Sequence, residues 1–543
     1  KQIRFLVSQV IDLSDEIDDW LPQDILEEYD LVFLNQAIRG IHYPVDEKDL
    51  KQSTDRLKFD ELFLLQLKAE FSKLAKSKTQ AVSLKFKQKQ IKEFVNHLPF
   101  KLTTTQKISA WEILKDIQKD NPMSRLLSGD VGSGKTVVAG VAIYNTILNG
   151  YQAVLMAPTE ILAVQHYNTI QRILGDKLNI GLLTHSQFLI SSQSALRGQN
   201  PNDRLKKADI LYALKKGKVE IIVGTHALLS DVVEFQKLGL VVVDEQHRFG
   251  VEQRKMIKDK GDRAHFLSMT ATPIPRSLAL WIYGDLDVSI INELPVGRKP
   301  ILTRLVDPIN RQKAYEFIRE QVKKGRQVFV VCPLIEDKDA SDKKSVMAEY
   351  EKLSKIIFPD LKIGYLHGKL KPSEKEAIMN RFSAKGGSSS GGKNNEINIL
   401  VSTSVIEVGI DMPNASVMMI EDAERFGLAQ LHQFRGRVGR SDHQSYCFLF
   451  MTNESAKAKD RLKFFEKNND GFKLAEKDLE IRGPGEVYGT AQSGLMNLRL
   501  AKLTDRDIIK KARDSARVII NNIDKYPKLI AKVKEWEKSV HLE

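Results

Sequence analysis

From Leu98 onward, short apolar runs alternate with stretches patterned for helices. The runs SRLLS, AVLMAP, IGLLT, EIIVGT, LVVVDE and FLSMTA are rich in Val, Ile or Leu and end at polar or Gly residues. Runs of this kind read as buried parallel strands with helices as crossovers. A second series begins near Gln327 with QVFVVCPL, KIGYLHG, INILVST, SVMMIED and YCFLFM. Two successive parallel α/β domains are therefore expected, joined near LPVGRKP at 294–300. Before Leu98 the pattern differs. Leu57, Leu62, Leu64, Leu65, Leu67, Phe71 and Leu74 recur at spacings near three and four, which predicts one long amphipathic helix within a mostly helical 1–97 segment. From about Thr452 the chain is charged and helical in pattern, with one Gly-rich break, IRGPGEVYG. The segment SAKGGSSSGGKNN (383–395) has the composition of a flexible surface loop.

The 543 residues correspond to three or four domains at about 100–200 residues each. A hydrophobic share of 42% with 28% charged residues excludes wholesale disorder. No apolar run approaches the roughly 20 residues that a membrane-spanning helix needs. The start, KQIRFLVSQVIDLSDEIDDW, has no secretory-signal pattern, and a first residue other than Met reads as a fragment. The two cysteines, Cys332 and Cys447, lie in apolar runs and read as buried strand residues in a reducing, intracellular setting. The net charge of +13 suits a polyanionic partner, and residues 51–93 hold eleven Lys/Arg against five Asp/Glu. A charge run by itself also reads as a solvated helix face.

GDVGSGKT (Gly129–Thr136) follows an apolar strand and precedes the apolar helix pattern TVVAGVAIYNTIL, the context a phosphate-binding loop requires. Gly132 and Gly134 let the backbone turn tightly, so the N–H groups of the loop, Ser133 included, can surround phosphate oxygens. Lys135 brings positive charge to the β/γ-phosphates, and the Thr136 hydroxyl can ligate Mg²⁺. In LVVVDEQH, Asp244 ends an apolar strand and can hold Mg²⁺ through water, while Glu245 is placed to act as general base or to orient the attacking water. QFRGRVGR (Gln433–Arg440) sets Arg437 and Arg440 three apart in the second α/β domain. A basic pair there could grip a phosphate backbone, but the Q-x-x-G-R-x-G-R spacing favours an arginine finger, worth about 10³–10⁵ in rate.

GDVGSGKT, DEQH, MTATP (269–273), STSVIEVGID (402–411) and QFRGRVGR together resemble superfamily-two helicases and translocases. LPFKLTTTQ (98–106), DEQHRFGV (244–251), YGDLDVSIINELPVGRKP (283–300) and DGFKLAEKDLEIRGPGEVYGTAQSG (470–494) narrow the resemblance to the RecG family, from about residue 20 to the C-terminus. The last segment is similar to the duplex-DNA translocation motif shared with Mfd, with Arg482, Gly483, Gly485 and Gln492 as its most matchable positions.

The resemblance implies an α/β fold with two tandem RecA-like P-loop domains carrying parallel sheets. These would be domain 1 at 98–297 and domain 2 at 298–455, flanked by a helical linker at 1–97 and a mainly helical translocation region at 456–543. It implies ATP and Mg²⁺ as cofactors and branched or duplex DNA as partner, in a monomeric bacterial cytoplasmic protein at the nucleoid. Phe100 and Gln106 would recognise adenine, and Gly409 and Asp411 would contact the nucleotide from domain 2. Gln246, His247, Thr270, Thr272 and Gln433 would couple hydrolysis to movement. The DNA path would run over Pro158, Thr159, Thr225, His226 and Thr403, where hydroxyls and N–H groups suit phosphates. Two departures stand out: no oligonucleotide-binding wedge barrel reads out of residues 1–97, and SQFLISSQSALRGQNPND (186–203) reads as an insertion. The alternatives are an Mfd-like duplex translocase without strand separation, a non-enzymatic nucleic-acid scaffold and an RNA helicase. DEQHRFGV and the intact site residues argue for the RecG type.

Overall fold

The computed structural model describes residues 2–77, 80–175, 178–191, 206–246, 249, 256, 263–272, 286–295, 299–333, 342–383, 397–403, 412, 414–439, 443–453, 455–482, 498–502 and 505–540. They fall into two compact units: one formed by 1–81, 275–288 and 479–543, the other by 82–274 and 289–478.

The larger unit is built on two sheets. The first contains β1 (Ser124–Gly129), β2 (Gln152–Met156), β3 (Ile180–Leu183), β4 (Phe188–Ile190), β5 (Ile221–Gly224), β6 (Leu238–Asp244), β7 (His265–Thr270) and β8 (Asp287–Ile291), in the order β4-β3-β5-β2-β6-β7-β1-β8. The second contains β9 (Leu302–Val306), β10 (Gln327–Val331), β11 (Ile363–Leu366), β12 (Ile399–Ser402), β13 (Ala415–Ile420) and β14 (Tyr446–Phe450), in the order β11-β12-β10-β13-β14-β9. The pairs β1–β7, β7–β6, β6–β2, β2–β5 and β5–β3 and those throughout the second sheet are parallel, and β4 pairs antiparallel with β3.

Successive strand residues point to opposite faces, and both faces of these sheets are covered. Leu240 and Val242 join one apolar core while Val241 and Val243 join another. Phe329 and Val331 divide from Val328 and Val330 in the same way. A sheet clad on both sides has no polar face, which is why its strands read as unbroken apolar runs. Each expected run is a strand. β4, β8 and β9 are additional: short or mixed edge strands such as LTRLV, whose Arg304 breaks the apolar pattern. Cys447, in β14, and Cys332, just after β10, are buried free thiols. Leu84 and Ile91 from the 82–97 stretch pack into the core of the first sheet.

The smaller unit is helical. Its longest helix, Glu47–Ser77, runs 31 residues. Phe59, Leu62, Phe63 and Leu67 are fully buried on it, whereas Leu74 of the expected stripe is exposed. The helix Arg506–Ile520 packs along it, Lys58 pairs with Asp505 at 3.0 Å, and Glu61 accepts the N–H groups of Arg499, Leu500 and Ala501 at 3.0, 3.1 and 2.9 Å. Chain ends far apart in sequence thus share one core.

Arg56 is the polar centre of this unit. It is fully buried, donates to both oxygens of Asp19 (2.8 and 2.7 Å), to Val32 O (2.6 Å) and to Asp60 (2.9 Å). Burial pushes the Asp60 carboxyl up to about 7 even though Arg56 opposes it. Removing one partner of a buried ion pair strands the other, so Arg56→Ala should cost about 3–5 kcal/mol of unfolding free energy. Denaturant midpoints at constant m-value measure this, and a loss no greater than about 1 kcal/mol, the scale of a surface pair, would refute the role.

Among the described residues no helix is long and apolar enough to cross a membrane. The expected loop at 384–395 and the 192–203 part of the expected insertion lie outside the described residues, and residues 188–190 form β4.

Candidate functional site

β1 ends at Gly129, and the helix Lys135–Leu148 starts six residues later, so loop 130–134 has to reverse direction within a few residues. Gly132 and Gly134 do this at φ of 76° and 87°, the left-handed region that a side chain disfavours. A Cβ on Gly134 would also collide with the side-chain amide of Gln106. Gln106 is buried. Its Oε1 accepts from Thr103 N at 2.9 Å, closing the cap of helix Thr104–Asp116, and its Nε2 donates to Ser133 O at 2.7 Å. Gln106 therefore fastens the phosphate loop to the preceding helix, which the sequence alone did not show. Phe100 is 45% exposed.

Lys135 begins its helix buried, with Nζ donating to Gly129 O (2.7 Å) and Asp130 O (3.0 Å). Burial lowers its affinity for a proton, and the carboxylates of Glu245, Asp244 and Asp130 offset part of that effect. The register explains why they gather. β1, β7 and β6 lie side by side, pairing Ser128 with Thr270 and Asp244 with Met269, so the carboxyl ends of all three open onto one place.

Asp244 is 8% exposed and its Oδ2 lies 2.8 Å from His166 Nε2. Burial would raise its pKa, but His166, Lys135 and the Glu245 N–H outweigh this and hold the carboxyl below its usual range. Glu245 has φ of 49°. That turn brings its carboxylate to Ala271 N (3.0 Å) and Thr270 Oγ1 (3.4 Å), while Thr270 and Thr272 share a 2.6 Å hydroxyl bond. The acid pair and the TAT residues thus form one hydrogen-bonded group. Ser133 Oγ and Gln246 Oε1 are buried polar atoms with no hydrogen-bond partner among the described residues, suited to a polar ligand and its water. Thr136, half-buried, and Asp244 supply hard oxygen donors, the kind Mg²⁺ takes alongside phosphate oxygens.

The second sheet contributes the helix Leu428–Arg435 and the turn after it. His432 Nε2 lies 2.6 Å from Asp130 Oδ1, and a Cβ on Gly436 would stand 2.8 Å from Val131 Cβ, so this turn rests directly on the phosphate loop. Burial would raise the Asp130 pKa, but His432, the Val131 N–H and Lys135 hold it low. Arg437 is 7% exposed and close enough for its charge to weigh on Lys135. Gln433 is buried in the same helix.

Lys135, Asp244, Glu245, Thr270, Thr272, Gln246 and Arg437 therefore share one locality. His247, Gly409, Asp411, Arg440, Gly483, Gly485 and Gln492 lie outside the described residues, and Arg482 closes the helix Gly471–Arg482. Of the expected DNA-path residues, Pro158 and Thr159 are half-buried and Thr159 Oγ1 caps the helix Glu160–Leu174 at Leu162 N (3.4 Å). His226 is exposed, whereas Thr225 and Thr403 are buried. Sequence reasoning missed His166, Asp130 and His432. Asp130 lies within GDVGSGKT but at a position the motif leaves unspecified. His166 and His432 carry no motif signal, and the role of all three comes from a contact across the fold.

Three family models match the chain: DEAD/DEAH box helicase over 103–280, helicase conserved C-terminal domain over 311–442, and ATP-dependent DNA helicase RecG, domain 3, C-terminal, over 468–539. The chain is 46% identical to an ATP-dependent DNA helicase RecG of Synechocystis sp., covering 96% of this chain and 61% of that protein. It is 42% identical to the Staphylococcus aureus protein of the same name, covering 96% and 73%. A solved structure of RecG bound to a three-way DNA junction superposes with a TM-score of 0.73 at 41% identity, covering 94% of this chain and 64% of that one. The chain thus spans under two thirds of the Synechocystis relative. The two RecA-like parallel-sheet domains agree with the expected fold, and the Mfd-like alternative is not favoured.

Proposed function

The chain belongs to the RecG family of ATP-dependent DNA helicases, and from that premise we propose that it hydrolyses ATP to move along duplex DNA and remodel branched DNA such as forks and Holliday junctions. The observation that carries this reading is the convergence of Lys135, the Asp244–Glu245 pair and Arg437 on one phosphate loop, with the arginine coming from the second sheet. In this reading residues 98–297 and 298–455 are the two motor lobes, 456–543 is the translocation region, and the protein works at the bacterial nucleoid.

The chemistry follows from the residues. Lys135 exchanges its two loop carbonyls for phosphate oxygens, and the loop N–H groups surround the remainder at a helix N-terminus. Thr136 and Asp244 would hold Mg²⁺, which when bound would neutralise phosphate charge. Asp244 is kept ionised and oriented by His166. Glu245 orients the attacking water and takes its proton, with Gln246 Oε1 as a second acceptor. Arg437, joined by Arg440, stabilises charge on the transferring phosphoryl group. Because Glu245 is bonded to Ala271 and Thr270, releasing it to act on water moves the TAT segment, which links hydrolysis to DNA grip at Thr159 and His226.

ATP turnover should be measured with no nucleic acid, single strand, duplex, fork and four-way junction. Branched DNA is expected to stimulate it most. A failure of branched DNA to stimulate turnover would support the scaffold reading. With RNA forks added as a further condition, stronger stimulation by RNA than by DNA forks would support the RNA helicase.

A further inference from the structure

His432 has no role in the chemistry above, yet its side chain joins the second sheet's helix to the phosphate loop. It is 4% exposed. Its Nδ1 lies 2.9 Å from Arg435 Nη2. A guanidinium has only donors, so Nδ1 must accept, and the ring proton sits on Nε2, where it donates to Asp130 Oδ1. The polarity of the chain Arg435 → His432 → Asp130 is thereby fixed.

Both ends of this chain are anchored. Arg435 is 2% exposed, donates Nη1 to Phe465 O at 3.2 Å and to Thr303 Oγ1 at 3.4 Å, and lies with Cζ 4.1 Å from the Phe465 ring centroid. Phe465 belongs to the helix Ala456–Lys467, immediately before the helix Gly471–Arg482 with which the translocation-motif segment begins. At the other end Asp130 faces two ways. Its main-chain oxygen accepts from Lys135 Nζ, and its carboxylate accepts from His432 and from Val131 N at 2.6 Å. A Lys135 that moves to a phosphate releases Asp130 O and alters what His432 holds. Between the ends, Gly436 packs on Val131 and Arg437 follows it.

We propose that Asp130, His432 and Arg435 form a positioning relay that seats Arg437 against the phosphate loop and carries the loop's state to the helix Ala456–Lys467. In this relay the His432 and Asp130 side chains are positioning residues, which act through where Arg437 stands. The relay rests on the ATP-hydrolysis reading.

The test compares His432→Ala, His432→Gln, Asp130→Leu and the double variant His432→Ala/Asp130→Leu, reading kcat and KM for ATP on forked DNA and thermal unfolding. Misplacing a reacting group by about 1 Å can cost up to about 10²-fold, so His432→Ala is expected to lower kcat about 10- to 100-fold with KM little changed. His432→Gln should recover most of that, because its Oε1 accepts from Arg435 and its Nε2 donates to Asp130. The double variant should be no slower than the slower single, since both remove one link. A His432→Ala chain at the parent rate, a Gln variant as slow as Ala with unchanged unfolding, or multiplicative losses in the double variant would each overturn the relay. A parent chain with no turnover on any DNA would instead overturn the reading beneath it, a separate and recognisable result.

Discussion

Lys135→Ala is expected to abolish DNA-stimulated ATP turnover while leaving affinity for forked DNA nearly unchanged. Nζ is the cation at the centre of the phosphate loop, held against Gly129 O and Asp130 O within reach of Asp244, Glu245 and Asp130. Burial has already stripped its water, so it meets a phosphate without further desolvation cost, and its charge acts where little solvent screens it. Deleting it removes a preorganised donor from the position where charge grows, a loss of at least about 10²–10³ in kcat. The carboxylates of Asp244, Glu245 and Asp130 then remain near an anionic substrate with Arg437 as a balancing charge, which deepens the effect. DNA contacts are proposed elsewhere, along Thr159 and His226, so anisotropy of a labelled fork should shift by no more than a few-fold. Turnover within tenfold of the parent would show that the loop is not the ATP site.

How far the sequence reached depended on whether a feature was local. Strands buried on both faces announce themselves, because nothing polar can sit on either side: LVVVD became β6 and QVFVV became β10. Edge strands escaped. LTRLV has only partial cover, so Arg304 is tolerated and the apolar signal dilutes. The long helix was legible from its leucines, but Phe59 and Phe63, stacked with centroids 5.5 Å apart, are equally buried on it. Those rings meet Tyr29 and Trp20, with centroids 5.8 and 6.3 Å away, and the helix Arg506–Ile520, which begins more than 400 residues later, packs along the same long helix.

The site divided in the same way. Gly132, Gly134 and Lys135 are dictated by a loop that must turn and bind within a few residues, so spacing reveals them. His166 beside Asp244, Gln106 beneath Ser133 and His432 on Asp130 are pairings across 78, 27 and 302 residues of chain, invisible to spacing. Gln106, expected at the base, also bonds Thr103 N and Ser133 O through its amide, neighbours that spacing did not reveal. Thr225 and Thr403 looked like loop-end hydroxyls and are buried, because each directly follows the end of an interior strand.

Arg437→Ala should slow turnover about 10³-fold, the lower end of what an arginine finger contributes, with affinity for ATP changed only slightly. The guanidinium stands at the turn after Leu428–Arg435, where Gly436 touches Val131 and its charge reaches Lys135. A cation so placed sees the bound triphosphate in both ground and transition states, but the charge it answers grows only during transfer, so the loss belongs to kcat more than to KM. Arg437→Lys should rescue little, since a point charge on a flexible stem cannot reproduce the planar fork or be seated by the same backbone turn. The competing role, a grip on the DNA backbone, predicts a different pattern: weaker fork binding with a salt dependence reduced by about one phosphate contact, and a kcat at saturating DNA close to the parent value. Measuring kcat, KM and the salt slope on the same two variants separates these outcomes. An unchanged kcat with a reduced slope would assign Arg437 to DNA and leave the hydrolytic site without its second-lobe cation among the described residues.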